Sequence, residues 1–245
     1  MKSAGAPSKI ILLGEHAVVY GHPALAAPLR EPWAHAEVRG TPGAAASIEL
    51  SDFATAWDEG REPPSPEARP FDQLLRTARR RMPAIPQGGW RLRVRSTIPI
   101  GCGLGSGAAV CAAALRAIYR SFGSEPSPDD ISADVFEVEK LLHGNPSGID
   151  NTVVAWERPV FFRKGEAPVV LEAPPCPFFL MVADTGVRHR TGEVVRDVAC
   201  RRADEPAAVD AALARIGGAA SRGLEAFCSG DLRLLGELMT ENHGE

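Results

Sequence analysis

The chain lacks any long apolar run. Nothing in its 245 residues approaches the roughly 18 consecutive apolar positions of a membrane-spanning helix, and the short "IILL" at 10–13 is cut off by the charged "GEH". A membrane partner is therefore not expected, and no segment is read as addressing the protein outside the cell. The chain also lacks a basic excess. A net charge of −4 and an isoelectric point near 5.9 give no general attraction to nucleic acid or anionic lipid, so a nucleic-acid partner is not expected either. Lysine is scarce at 4 of 27 basic residues, a bias with no evident physical meaning, although Lys9 stands beside the first informative motif. Paired cysteine spacings are missing as well. The five cysteines (Cys102, Cys111, Cys176, Cys200, Cys228) are odd in number and scattered, which excludes a zinc ribbon and suits reduced thiols in a cytoplasm. No repeat or heptad pattern stands out. With 44% hydrophobic residues, what remains is a globular chain of one large domain or two small ones.

What is present reads as alternating strands and helices. Ile10–Leu13 suggests a short buried strand, followed by "GEHAVVYGHPAL", whose glycines bracket a turn. Residues 40–70, rich in Gly, Ala and Pro and containing "EPPSPEARP", read as an exposed excursion before a helix over 71–82. "WRLRVRST" alternates Trp90, Leu92 and Val94 with three arginines, the pattern of a strand with one wet face. It feeds "GCGLGSGAAV", and the alanine-rich helix that follows over 108–122 ends at Gly123. "SPDDISADVFEVEKLLHG" predicts a second helix, with Glu139 one turn from its end and the turn-forming "NPSGIDN" beyond. Then come β-rich runs, "TVVAW", "PVFF", "PVVLE" and "FFLMVAD", and helices over 191–202, 206–228 and 231–243. The order predicts an α+β fold whose second part starts near residue 173.

The four glycines at 101, 103, 105 and 107 stand between a strand and a helix. A helix N-terminus presents unpaired N–H groups and about half a positive charge, and glycine lets the backbone close around phosphate oxygens. The loop lacks the G-K-[ST] of a P-loop and fits G-x-G-x-x-G poorly. On its own it reads equally as a turn that permits close helix packing.

Four segments in order carry a resemblance. "PIGCGLGSGAA" (99–109) resembles the second motif of the GHMP kinases, and "SKIILLGEHAVVYGHPAL" their first motif in its mevalonate kinase form. "EKLLHGNPSGIDN" (139–151) is similar to the stretch carrying the catalytic aspartate, and "DTGVRHRT" (184–191) to a segment lining the site from the second lobe. The resemblance implies a two-lobed GHMP kinase fold. Residues 1–172 would form an ATP-binding lobe like domain 2 of ribosomal protein S5, and 173–245 part of a ferredoxin-like lobe. It implies phosphorylation of mevalonate to 5-phosphomevalonate with ATP and Mg²⁺, with phosphomevalonate or a sugar as alternative acceptors. A non-catalytic nucleotide-binding chain is the rival of a different class. A homodimer is also implied.

Each residue has a structural reading beside the one the resemblance implies. Asp150 reads as a turn or cap residue, and by resemblance as the base that takes the alcohol proton. Lys9 reads as a solvated lysine, and by resemblance as the cation stabilising alkoxide and transferred phosphate. Glu139 is a surface acid or the Mg²⁺ ligand. Glu15 and His16 would form the substrate pocket, a lone His being otherwise a hydrogen-bonding residue. Thr191 is a helix cap or a neighbour of the transferred phosphate. Gly101, Gly103, Leu104, Gly105, Ser106, Gly107 and Ala108 would cradle ATP, with Ser106 a second metal ligand.

The sequence departs from the family pattern at three places. Gly107 stands where the family has a second serine that ligates Mg²⁺, and Ser8 replaces the glycine before the lysine. The third glycine-rich motif, of type G-A-G-x-G-G, is not found before the chain ends at "LMTENHGE", which reads as a C-terminal truncation.

Overall fold

The computed structural model describes residues 2–66, 68–143, 146–186 and 191–245, without the side chains of residues 142, 143 and 191–193. Strand β1 (Lys2–Leu13) runs antiparallel to the long β2 (Ala24–Ala45). β1 therefore extends well before Ile10, where the apolar pattern had placed its start. A register shift between Pro7 and Lys9 interrupts the ladder at Ser8, whose fully buried hydroxyl has no hydrogen-bond partner.

Two short strands, β3 (Ser47–Leu50) and β4 (Thr55–Asp58), follow. The expected excursion over 40–70 is therefore partly sheet. Ile48 and Trp57 anchor that sheet edge in the core, and "EPPSPEARP" itself contains no strand among its described residues. Helix α1 (Pro70–Arg81) leads to β5 (Gly88–Ser96), where Trp90, Leu92 and Val94 are buried and the intervening arginines face solvent. β5 pairs antiparallel with β2 and parallel with β3.

Helix α2 (Ser106–Ser121) packs across β1 and β2, and its partners explain its composition. Ala108, Ala109 and Ala112 share one buried cluster with Ala4, Ala6 and Ala34 of the sheet, where small side chains on both surfaces let helix and sheet approach closely. Helix α3 (Pro128–His143) lies against α1 and α2. Tyr119 Oη donates to Asp134 Oδ2 at 2.7 Å, and Arg81 pairs with Asp130 and Asp134, tying the three helices together.

"TVVAW" is helical, which corrects its β-rich reading. It belongs to α4 (Ile149–Trp156), an eight-residue helix packed against α3, α2 and the sheet. β6 (Val160–Phe162) and β7 (Val169–Val170) complete a seven-stranded sheet of order β4-β3-β5-β2-β6-β7, with β1 on β2.

"FFLMVAD" forms no strand, a second correction. Only its first four residues alternate, since Phe178 and Leu180 pack on the core while Phe179 and Met181 are exposed, and it has no ladder partner among the described residues. Three helices follow, α5 (Thr191–Asp204), α6 (Pro206–Ser229) and α7 (Leu232–His243), close to the expected spans. α6 and α7 form a hairpin turning at Gly230, and the Asp231 carboxylate caps α7 by accepting from the Leu234 N–H at 3.0 Å. Their apolar faces bury Leu12, Leu13 and Leu25 where β1 ends and β2 begins. Gly223 lies so close to Leu13 that a Cβ there would stand 2.1 Å from Leu13 Cδ1, which accounts for a glycine inside a helix.

Candidate active site

The site assembles around Lys9. The register shift at Ser8 precedes it on β1, and its backbone N–H donates to Leu104 O at 3.0 Å, fastening the glycine loop to the strand. Gly101, Gly103 and Gly105 have φ of 74°, 74° and 69°, so the alternate glycines supply three left-handed turns. Gly105 is the residue before α2, and a Cβ there would lie 2.8 Å from Lys9 Cγ. The lysine stem thus lies on the floor of the loop. Gly107 falls in the first turn of α2 and is exposed, while Leu104 and Ser106 are half-buried and Ala108 is buried.

At the far end of that stem, Lys9 Nζ forms an ion pair with Asp150 Oδ1 at 2.8 Å. The Lys9 side chain is 5% exposed and that of Asp150 32%, so the ammonium is enclosed and the carboxylate reaches the surface. Asp150 sits in the first turn of α4, after the left-handed Gly148. That turn is fixed from α3. Asn151 Nδ2 donates to Ser132 Oγ at 2.9 Å and Ser132 O at 3.1 Å, and Thr152 Oγ1 donates to Gly148 O at 2.7 Å. Arg116 of α2 grips the other end of α4, donating to Ala155 O at 2.6 Å and Val154 O at 3.3 Å.

Glu139 completes the cluster from α3, 4% exposed. Burial first, and the Asp150 carboxylate second, push its carboxyl up to about 8, with Lys9 opposing. One buried ammonium thus faces two carboxylates. Glu139 also adds to the rise of the buried Cys111 thiol, which burial mainly causes. No disulfide joins any of the five cysteines.

Among the other predicted site residues, His16 is exposed, with φ of 60°, at the start of a short 3-10 turn over Ala17–Tyr20. Glu15, beside it, accepts from Asn242 Nδ2 at 2.8 Å. Thr191 opens α5 with its side chain outside the described residues, and residues 187–190 of "DTGVRHRT" lie outside them altogether. The preceding Asp184 does come to the glycine loop, accepting from Cys102 Sγ at 3.6 Å. Sequence reasoning gave no role to Asn151, the last residue of "EKLLHGNPSGIDN", and missed Ser132, Arg116 and Asn242, which hold the site from outside the four motifs.

The donor set suits Mg²⁺ held chiefly by phosphates. Among the described residues no three His, Cys, Asp or Glu side chains form a group able to hold a metal. The chain offers the Glu139 carboxylate and the Ser106 hydroxyl, as Mg²⁺ commonly takes one or two protein oxygens beside phosphate and water.

Residues 72–157 match the family model described as the GHMP kinases N terminal domain. A curated mevalonate kinase of Thermococcus sibiricus is 32% identical over 263 residues, which cover 98% of this chain and 76% of that protein. The crystal structure of Methanococcus jannaschii mevalonate kinase has the same fold, with a TM-score of 0.79 at 20% identity over 99% of this chain and 77% of that one. That of L. major mevalonate kinase, in complex with R-mevalonate, matches with a TM-score of 0.74 at 24% identity over 100% and 74%. By this sequence match the chain belongs to the mevalonate kinases of the GHMP kinase family.

Proposed function

We propose that the protein transfers the γ-phosphoryl group of ATP to the primary hydroxyl of mevalonate, giving 5-phosphomevalonate and ADP. The observation that carries the chemistry is the 2.8 Å Lys9–Asp150 pair at the foot of the glycine loop, with Glu139 beside it. Phosphoryl transfer asks a protein mainly to position two substrates, neutralise phosphate charge and handle the nucleophile's proton. Three groups answer those tasks.

The loop over 101–108 receives the triphosphate at the N-terminus of α2. Asp150 accepts the hydroxyl proton as the alcohol oxygen bonds to the γ-phosphorus and the bond to the β–γ bridging oxygen breaks. Lys9, held in place by Asp150 and Gly105, offsets negative charge on the attacking oxygen and on the phosphoryl group in transit. Glu139 and Ser106 would hold Mg²⁺, which would supply neutralisation of phosphate charge. Glu15, His16 and Thr191 line the pocket for the acceptor.

The L. major relative's complex with R-mevalonate supports the choice of acceptor. The test is a panel of alcohols with Mg²⁺ and ATP, with ADP release measured beside direct ATP binding. Turnover of mevalonate is expected. Turnover of phosphomevalonate or galactose without mevalonate overturns the substrate, and ATP binding without any transfer overturns the activity.

A further inference from the structure

We infer that Asn242, on α7, is a positioning residue for the acceptor pocket, holding the Glu15 carboxylate and the turn that carries it. Its side chain bridges two groups that lie more than 220 residues away in sequence. Asn242 Oδ1 accepts from the Gly14 N–H at 3.0 Å, and Asn242 Nδ2 donates to Glu15 Oε1 at 2.8 Å. Both halves of the amide are thus used, and only one orientation satisfies them, because an N–H requires an acceptor and a carboxylate a donor. The residue is 5% exposed, so water does not compete for these bonds.

Two further observations make the contact more than packing. The other Glu15 oxygen, Oε2, is buried with no hydrogen-bond partner, which leaves Asn242 as the side-chain donor to that carboxylate among the described residues. A buried carboxylate deprived of its donor is costly, and turning toward water relieves that cost. Second, the turn over Gly14–Glu15 follows directly on β1, where Leu13 is clamped by α6 and α7. α7 is therefore fixed to the strand by apolar contact, and Asn242 converts that fixed position into the direction of a charged side chain.

The inference rests on the reading that Glu15 lines the acceptor pocket. Asn242→Asp separates positioning from support, because it keeps an acceptor for the Gly14 N–H and removes the donor to Glu15. We expect the KM for mevalonate to rise about tenfold or more in Asn242→Asp, with the KM for ATP within about twofold of wild type. Asn242→Ala loses both bonds and is expected to show the same split, together with at least tenfold faster hydrogen exchange at the Gly14 amide.

An unchanged acceptor KM in Asn242→Asp, or acceptor and ATP KM rising together in step with lost thermal stability, overturns the inference. Gly14 exchange, which needs no turnover, overturns it likewise if it does not change in Asn242→Ala. Failure of the wild-type protein to use mevalonate sinks the proposed substrate alone, since the same split is then read on whichever alcohol is accepted.

Discussion

Glu139→Gln should make the protein more stable, and by an amount that depends on pH. In the folded state the Glu139 carboxyl holds its proton to about pH 8, whereas in the unfolded chain it loses it near the ordinary 4.5. The folded state therefore binds more protons between those values, and stability falls as pH rises through that window. Below about 4.5 the group costs nothing; above about 8 the cost is complete. At about 1.36 kcal/mol per pH unit the displacement sets a ceiling of roughly 5 kcal/mol. Water reaching the cluster past the partly exposed Asp150 lowers this, so about 3 kcal/mol is expected.

Glutamine keeps the shape and carries no charge, leaving Lys9 paired with Asp150 alone. Urea unfolding of both proteins from pH 5 to pH 9, without nucleotide and with chelator, gives the difference directly. Near pH 5 the two should differ by less than about 1 kcal/mol, and by pH 9 the variant should be ahead by about 3 kcal/mol, even as its transferase activity falls. A difference that stays flat across that range would falsify the view that Glu139 is forced to keep its proton by burial and by Asp150.

Other outcomes are tied to neighbouring residues. Asp150→Asn should lower kcat by roughly 10²–10⁴ with little change in the KM for ATP, read by ADP release. Gly105→Ala puts a Cβ 2.8 Å from Lys9 Cγ at a φ of 69°. It should cost about 1–2 kcal/mol of stability in denaturant titration and weaken ATP binding in calorimetry. Gly107→Ser adds a hydroxyl next to Ser106 in the exposed first turn of α2, and should lower the Mg²⁺ concentration needed for half-maximal rate.

β5 was legible because it shows one buried face and one wet face, and α2 because its alanine-rich run is made of strong helix formers and stops at Gly123. Trp90, Leu92 and Val94 against three arginines left no second reading. α4 was misread for the opposite reason. Ile149, Asn151, Thr152, Val153, Val154 and Ala155 are all buried, so no face is left to mark a period, and three β-branched residues in a row then suggest a strand. "FFLMVAD" was read as a strand from its β-rich composition, but a strand also needs a partner, and composition says nothing about one.

The candidate residues were picked out by motif, while the meeting of Lys9, Gly105 and Asp150 was not. No spacing shows that Lys9, Gly105, Glu139 and Asp150 converge, because three different elements and a loop bring them there. Asn242 gave no signal, being one polar residue on an amphipathic helix whose partners lie at the other end of the chain.

Lys9 is fastened at three points: its amide to Leu104, its stem against Gly105 and its ammonium to Asp150. The glycine loop and the Asp150 carboxylate, proposed above as nucleotide cradle and proton acceptor, are therefore hinged on one residue. A ligand that displaces the loop also moves the lysine, and with it the distance from ammonium to carboxylate. Affinity for ATP and the rate of the chemical step are not independent properties of such a site, and changes made for one will register in the other.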